Sequence, residues 1–254
     1  FINHIKELIN QCWLCLDDRV RFREDTAFLL YLEARKYCLE SLEQLMLMRI
    51  CKFFLTLVAS KEFLILSARE VCVLLSSNTI GVNSETEIFM SVVNWLSHNR
   101  EERKCHMLDL LRCVRFSLMP PWFLVTLTKN SECPEIEHIV NNAEVRNMIN
   151  DSITYTAIQF YYGEKREDVL LFLELLTPMQ RQWVFDKECK YHHRLECPHL
   201  QYVTYEPFLE YLEIILSIGI DYWRNLEMAK GIEKNMQCCV PSDCRKPADP
   251  NLVR

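Results

Sequence analysis

The chain has 254 residues, half of them hydrophobic and a quarter charged, which is the composition of an ordinary globular protein with enough length for a substantial core. Its net charge of −6 arises from scattered acidic and basic residues, so the concentrated basic stripe of a nucleic-acid groove is absent. Only four glycines occur and none are adjacent, which disfavours turn-rich β architectures, and no apolar run approaches the length of a bilayer span.

In chain order, Phe1–Leu16 reads as an amphipathic helix, with Ile2, Ile5, Leu8, Ile9, Cys12, Trp13 and Leu16 near one face. Asp25 is a candidate N-cap for a helix over Thr26–Tyr37. Ser41-Leu42-Glu43-Gln44 fits a capping box opening a helix that carries Leu42, Leu45, Met46, Ile50, Phe53, Phe54 and Leu57. Two further boxes, Ser67-Ala68-Arg69-Glu70 and Ser84-Glu85-Thr86-Glu87, each place Ser three residues before Glu, so that each side chain satisfies the other's backbone N–H. The second box precedes Ile88, Phe89, Val92, Val93 and Leu96, one face of a helix. The mixed charges of Arg100–Lys104 suit a solvated loop or helix start. Met119-Pro120-Pro121 stops one segment and opens another, since proline lacks the N–H that a helix interior needs. A helix is expected from Cys133-Pro134 to about Val145 and a further one over Ile149–Tyr162, with Gly163 as its C-cap.

The elements between Phe63 and Leu124, taken with their separations, resemble the BACK domain that follows a BTB domain in many cullin-3 ubiquitin-ligase adaptors. The resemblance extends loosely to Asp25 and to Tyr162. It implies a mainly α fold, an array of short helical hairpins over 25–163, with 1–24 as the helix (the 3-box) that joins a BTB domain to it. Phe1 is not a methionine and nothing near it looks like a signal peptide, so the chain is expected to begin inside a longer protein, downstream of a BTB domain. Many such proteins continue into a kelch propeller built on paired glycines; no Gly-Gly occurs here.

From Glu164 the texture changes, and 164–231 reads as a small α+β extension. Val169–Leu176 is an apolar run broken by Glu174 that fits strand or helix. Gln182–Phe185 and Gln201–Tyr205 are aromatic and β-branched, which favours strands. Pro207 fits the first turn of a helix bearing Phe208, Leu209, Leu212, Ile215 and Leu216, interrupted at Gly219. Asp221 is a candidate cap for a last helix with Tyr222, Trp223, Leu226 and Met228. The proline-bearing segment 232–254 has the look of a disordered tail.

The sharpest cluster of reactive side chains lies between the two strand candidates. Cys189, His193, Cys197 and His199 are donors that a tetrahedral structural zinc would take, although no Cys-x-x-Cys knuckle is present. A polar loop with the two cysteines buried separately accounts for the same residues. Several of the thirteen cysteines fall inside helical patterns, as small buried hydrophobes do, and a reducing compartment, cytoplasm or nucleus, is the expectation. Neither a His-Glu-x-x-His helix, nor a phosphate-binding glycine loop, nor a Gly-x-Ser-x-Gly elbow occurs, so catalysis is not expected.

The resemblance therefore implies a non-catalytic interaction module, a substrate adaptor for cullin-3 that homodimerises through BTB. Leu8, Cys12, Leu16, Phe28 and Tyr31 are the cullin-facing candidates, and an unknown protein substrate would meet aromatic residues of the extension, Trp183 and Trp223. A structural or transcription-associated scaffold that recruits no cullin fits the same residues.

Overall fold

The computed structural model describes residues 2–17, 24–47, 49–50, 53–82, 84–129, 133–175, 177–186, 189, 191, 202–219 and 227–229. The fold is mainly α. Two amphipathic helices, α1 (Ile2–Asp17) and α2 (Glu24–Lys36), lead into α3 (Glu40–Leu47), which packs back on α2 as a hairpin. Helix α2 begins at Glu24, so Asp25 lies inside its first turn rather than capping it. It ends in a Schellman motif: Leu39 N–H donates to the Ala34 carbonyl and Cys38 N–H to that of Arg35, with Cys38 at φ 55°. Glu174 ends a later helix in the same way, at φ 56°. A chain with so few glycines places ordinary residues in the left-handed region at two helix ends.

The long helix expected over 42–57 is two. Helix α3 stops at Leu47, where Arg49 and Ile50 N–H groups bond back to Met46 and Leu47 carbonyls, and α4 (Phe54–Ala59) starts afresh. Ser41 is interior to α3, so the capping box proposed there does not form; Leu39 stands at the helix entry and its carbonyl accepts from Leu42 and Glu43.

Helix α5 (Lys61–Leu64) precedes α6 (Ala68–Ser76), whose capping box is complete. Glu70 N–H reaches Ser67 Oγ at 3.4 Å, and Ser67 N–H reaches Glu70 Oε2 at 2.8 Å. Replacing Ser67 by Ala is expected to cost about 1 kcal/mol, read as a lower urea midpoint with an unchanged slope.

Helix α7 (Glu85–His98) is the hub. Ser84 Oγ accepts from Thr86 N–H at 2.9 Å, so it is a true N-cap. The reciprocal half of the box is missing, because Glu87 is fully buried and points inward instead. Eleven of the fourteen residues of α7 are buried, which is a helix enclosed on every side rather than the one-faced helix its periodicity suggests. Helix α8 (Arg100–Arg103) and a 3-10 turn at Lys104–His106 follow, and then α9 (Met107–Arg112) packs across α6 and α7. Within the charged stretch Arg103 is not merely solvated: its guanidinium lies 4.0 Å from the Trp95 ring centroid and donates to the Trp95 carbonyl at 2.6 Å. Pro121 opens α10 (Pro121–Thr128), as the Pro-Pro pair predicts.

Helices α11 (Pro134–Val140) and α12 (Ala143–Tyr161) divide earlier than the sequence suggests. Asn142 Oδ1 caps α12 by accepting from Glu144 and Val145 N–H, so residues assigned to two helices on either side of 145–149 belong to one. Gly163 follows the helix end at φ 50°, the left-handed position that favours glycine. The ambiguous run after it folds as helix α13 (Arg166–Phe172).

Within the extension, β1 (Trp183–Phe185) pairs antiparallel with β2 (Glu227–Ala229), Val184 opposite Met228. Met228 therefore lies in a strand rather than in the last helix expected after Asp221. The segment 202–204 joins no ladder among the described residues, and Tyr205 already begins α14 (Tyr205–Ile218), which has Pro207 in its first turn and ends at Gly219, φ 89°. Phe208, Tyr211, Leu212 and Ile215 of α14 bury against α4 and α7. One hydrophobic core thus runs from Ala27 to Ile215. A second, small cluster holds only Tyr155, Ile158 and Leu170, where α13 folds back on the outer half of α12. The tail 232–254 lies outside the described residues, as do Asp221, Tyr222 and Leu226.

Candidate functional site

Two places in the fold combine unusual chemistry with a defined position: the seam where the extension meets the helical array, and the hairpin of α12 and α13 that projects from it.

At the seam the chain entering β1 runs beside the loop before α7. Val82 N–H donates to the Gln182 carbonyl at 3.0 Å, and Gly81 and Gln182 form a parallel bridge. One residue earlier, Arg181 enters the core. Its Nε donates to Glu85 Oε1 at 2.6 Å, with the two side chains only 2% and 4% exposed. Its other nitrogens donate to the Ser77 carbonyl and, at 2.9 Å, to the Cys113 carbonyl. Ser77 and Cys113 are the C-caps of α6 and α9, and Glu85 is the first residue of α7. One guanidinium thereby meets the negative ends of two helix dipoles and a carboxylate at once. Arg115 supports the same strand of chain, donating to the Met179 carbonyl at 2.5 Å and to Asn78, while its N–H donates to Glu85 Oε2 at 3.2 Å. Burial, and then the nearby Arg181 charge, push the Arg115 guanidinium pKa down.

Below this clamp lies a buried polar group. Tyr211 Oη donates to Asp186 Oδ2 at 2.6 Å, and Cys189 and Glu87 are near both tyrosines 191 and 211. Burial pushes both tyrosine hydroxyls well up, and burial together with Glu87 pushes the Cys189 thiol up. Cys189 is therefore a core thiol held in its neutral form. Its proposed zinc partners His193, Cys197 and His199 lie outside the described residues, and among the described residues no group of three or more Cys, His, Asp or Glu is arranged to hold a metal.

The projecting hairpin is apolar outward. Phe160 (83%), Tyr161 (87%), Leu171 (80%) and Phe172 (84%) are almost fully exposed, and Tyr162 and Leu173 are exposed too. Exposed apolar side chains in this number and this close are uncommon on a monomeric surface. Sequence reasoning passed over them as helix-end and run residues. The signal was present: Phe160-Tyr161-Tyr162 turn about 100° per residue on a helix, so three in a row cannot all face one core.

The other candidate residues separate. Leu8 is 60% exposed on α1, and Cys12, one turn on, is exposed on the same face. Leu16 is partly buried against the core, and its carbonyl accepts from Arg49 Nη1. Tyr31 is a correction: it is fully buried, inside the core, so it is unavailable as a groove wall. Burial pushes its hydroxyl up to about 12 despite the neighbouring Arg35. The side chains of Phe28 and Trp183, and all of Trp223, lie outside the described residues.

The family model named BACK, for BTB And C-terminal Kelch, matches residues 27–129. Residues 27–129 are a BACK domain. A second model, for a domain of unknown function (DUF4734), matches 138–226 and so begins within α11, upstream of Gly163. Among curated relatives, mouse Kelch-like protein 3 is 31% identical over 102 residues, 40% of this chain and 16% of that protein. Human Kelch-like protein 6 is 27% identical over 152 residues, 58% of this chain and 24% of that protein. Human Kelch-like protein 2 is 37% identical over 84 residues, 31% of this chain and 14% of that protein. The chain thus spans less than a quarter of the length of these relatives. No solved structure matches it significantly. With those matches in place, the Arg181 clamp is the junction between the BACK domain, which supplies Ser77, Glu85 and Cys113, and the following segment. The exposed hairpin belongs to that second segment. No helix among the described residues is long and apolar enough to cross a membrane.

Proposed function

We propose that this chain is a non-catalytic interaction module of a cullin-3 ubiquitin-ligase adaptor, acting in the cytoplasm or nucleus. The observation that carries the reading is the shared core of the BACK domain and the segment after it, sealed by the buried Arg181–Glu85 pair. Such a seam seats the segment after the BACK domain firmly on it, which is what an adaptor needs to present a partner-binding surface at a set position. Leu8 and Cys12 on α1 form the cullin-facing strip, and Phe160, Tyr161, Leu171 and Phe172 offer an apolar face to a protein substrate, by helix-in-groove packing.

The test is co-precipitation of cullin-3 with the protein expressed with every segment its gene encodes. Cullin-3 is expected to be retained, to be lost on replacing Leu8 and Cys12 by Asp, and to be unaffected by replacing Phe160 and Phe172 by Ser. The Ser pair is expected instead to release the substrate captured by the unchanged protein. Absence of cullin-3, with a working adaptor as control, would leave the protein as a scaffold and sink the ligase reading.

A further inference from the structure

Cys113, the C-cap of α9, directs its sulfur at α6. Sγ lies 3.4 Å from Ser76 Oγ and 3.9 Å from the Cys72 carbonyl oxygen, so the two cysteines meet across the packed helices. Both cysteines are partly exposed and neither is in a disulfide. We propose that Cys72 and Cys113 are a modification site, a dithiol that closes to a disulfide under two-electron peroxide oxidants, at the edge of the Arg181 clamp. Two thiols on packed helices need only approach to the roughly 2 Å of an S–S bond.

The chemistry balances with hydrogen peroxide as oxidant. The Cys113 thiolate attacks one peroxide oxygen, the O–O bond breaks, and hydroxide leaves, giving a sulfenic acid. The Cys72 sulfur then attacks that sulfenyl sulfur, the S–O bond breaks, and a second hydroxide leaves. The two thiol protons neutralise the hydroxides, so two thiols and one peroxide become one disulfide and two waters. Burial, and then Cys113, push the Cys72 thiol up to about 11, so little of it is thiolate at neutral pH and it enters in the second step, giving up its proton as it attacks the adjacent sulfenyl sulfur. The bond would tie the end of α9 to the middle of α6, four residues before the α6 helix end at Ser76. Those are the two helix ends whose carbonyls Arg181 bridges. Oxidation then secures by a covalent link what the guanidinium secures by hydrogen bonds.

The experiment treats the reduced full chain with hydrogen peroxide, blocks free thiols after denaturation, and maps peptides by mass spectrometry without reduction. A single linked peptide pair, Cys72 with Cys113, is expected, with alkylation lost at both positions together and restored by dithiothreitol. Cys72→Ser is expected to leave a sulfenic acid at Cys113 that a dimedone probe captures. Alkylation of Cys72 and Cys113 that persists while exposed Cys12, Cys15, Cys38 or Cys105 oxidises would overturn the proposal, as would links from either to a different cysteine. For the clamp, thermal melts of Arg181→Ala are expected to show a smaller loss in the oxidised than in the reduced form. Equal losses would refute the coupling.

Discussion

Arg181→Ala is expected to lower stability by about 3–5 kcal/mol, because it leaves the Glu85 carboxylate buried without its cation. The Ser77 and Cys113 carbonyls lose their donor in the same step. Urea unfolding followed by far-ultraviolet circular dichroism reads the loss as a lower midpoint. The double replacement Arg181→Met with Glu85→Met is expected to recover much of it, since two apolar chains of similar volume need no mutual compensation. A residual deficit is expected in the double variant, because the Arg115 N–H also relies on Glu85 Oε2. An Arg181→Ala protein as stable as the parent would mean that the extension is not seated through this pair.

Alkaline pH is expected to unfold the protein over a narrow range, and the sign follows from the buried hydroxyls and thiols. Tyr31 is raised to about 12 and Cys72 to about 11, while Tyr191, Tyr205 and Tyr211 and the Cys189 thiol are also raised, chiefly by burial. Each is neutral when folded, and each ionises more readily when unfolded. The folded state therefore binds more protons than the unfolded state between the two values, and stability falls as pH rises. The contribution is whole below the unfolded values of about 9 for Cys and 10 for Tyr, and is spent between there and about 12. For Tyr31 alone, a rise from 10.0 to about 12 is on the order of 3 kcal/mol at full ionisation. Tyrosinate absorbance and circular dichroism should change together in one cooperative step. Tyrosine ionisation that runs its course while the helical signal persists would contradict the burial of these hydroxyls.

Much of the helical array was legible because its signals are local. The Ser67 capping box, the Pro121 start and the α14 face are each written within a few residues. Boundaries failed where a short-range competitor acts: Asn142 caps α12 where periodicity continues through, and the turn at Arg49–Ile50 divides one apolar stripe into two helices. The inward turn of Glu87 and the full burial of α7 were not legible, since both depend on α14 and on Asp186, Cys189 and Tyr211 arriving from the far end of the chain. Arg181 itself carried no sequence signal. It stands between two polar glutamines, and only the three-dimensional meeting of α6, α7 and α9 gives it something to hold. Of the outward-facing candidates, Leu8 and Cys12 are exposed one turn apart on α1, whereas Tyr31 was indistinguishable in sequence from a surface aromatic on an amphipathic helix.

Glu85 and Arg181 are 96 residues apart in the chain. A ribosome adding roughly 5–20 residues each second finishes the BACK domain several seconds before it delivers the arginine. Through that interval the first turn of α7 carries the Glu85 carboxylate without Arg181, and the surface that α14 later covers stands open to water. The nascent domain reaches its final packing only once Arg181 and α14 have emerged. A chaperone that recognises apolar helices would find its window there, and a chain that terminated early would keep that window open.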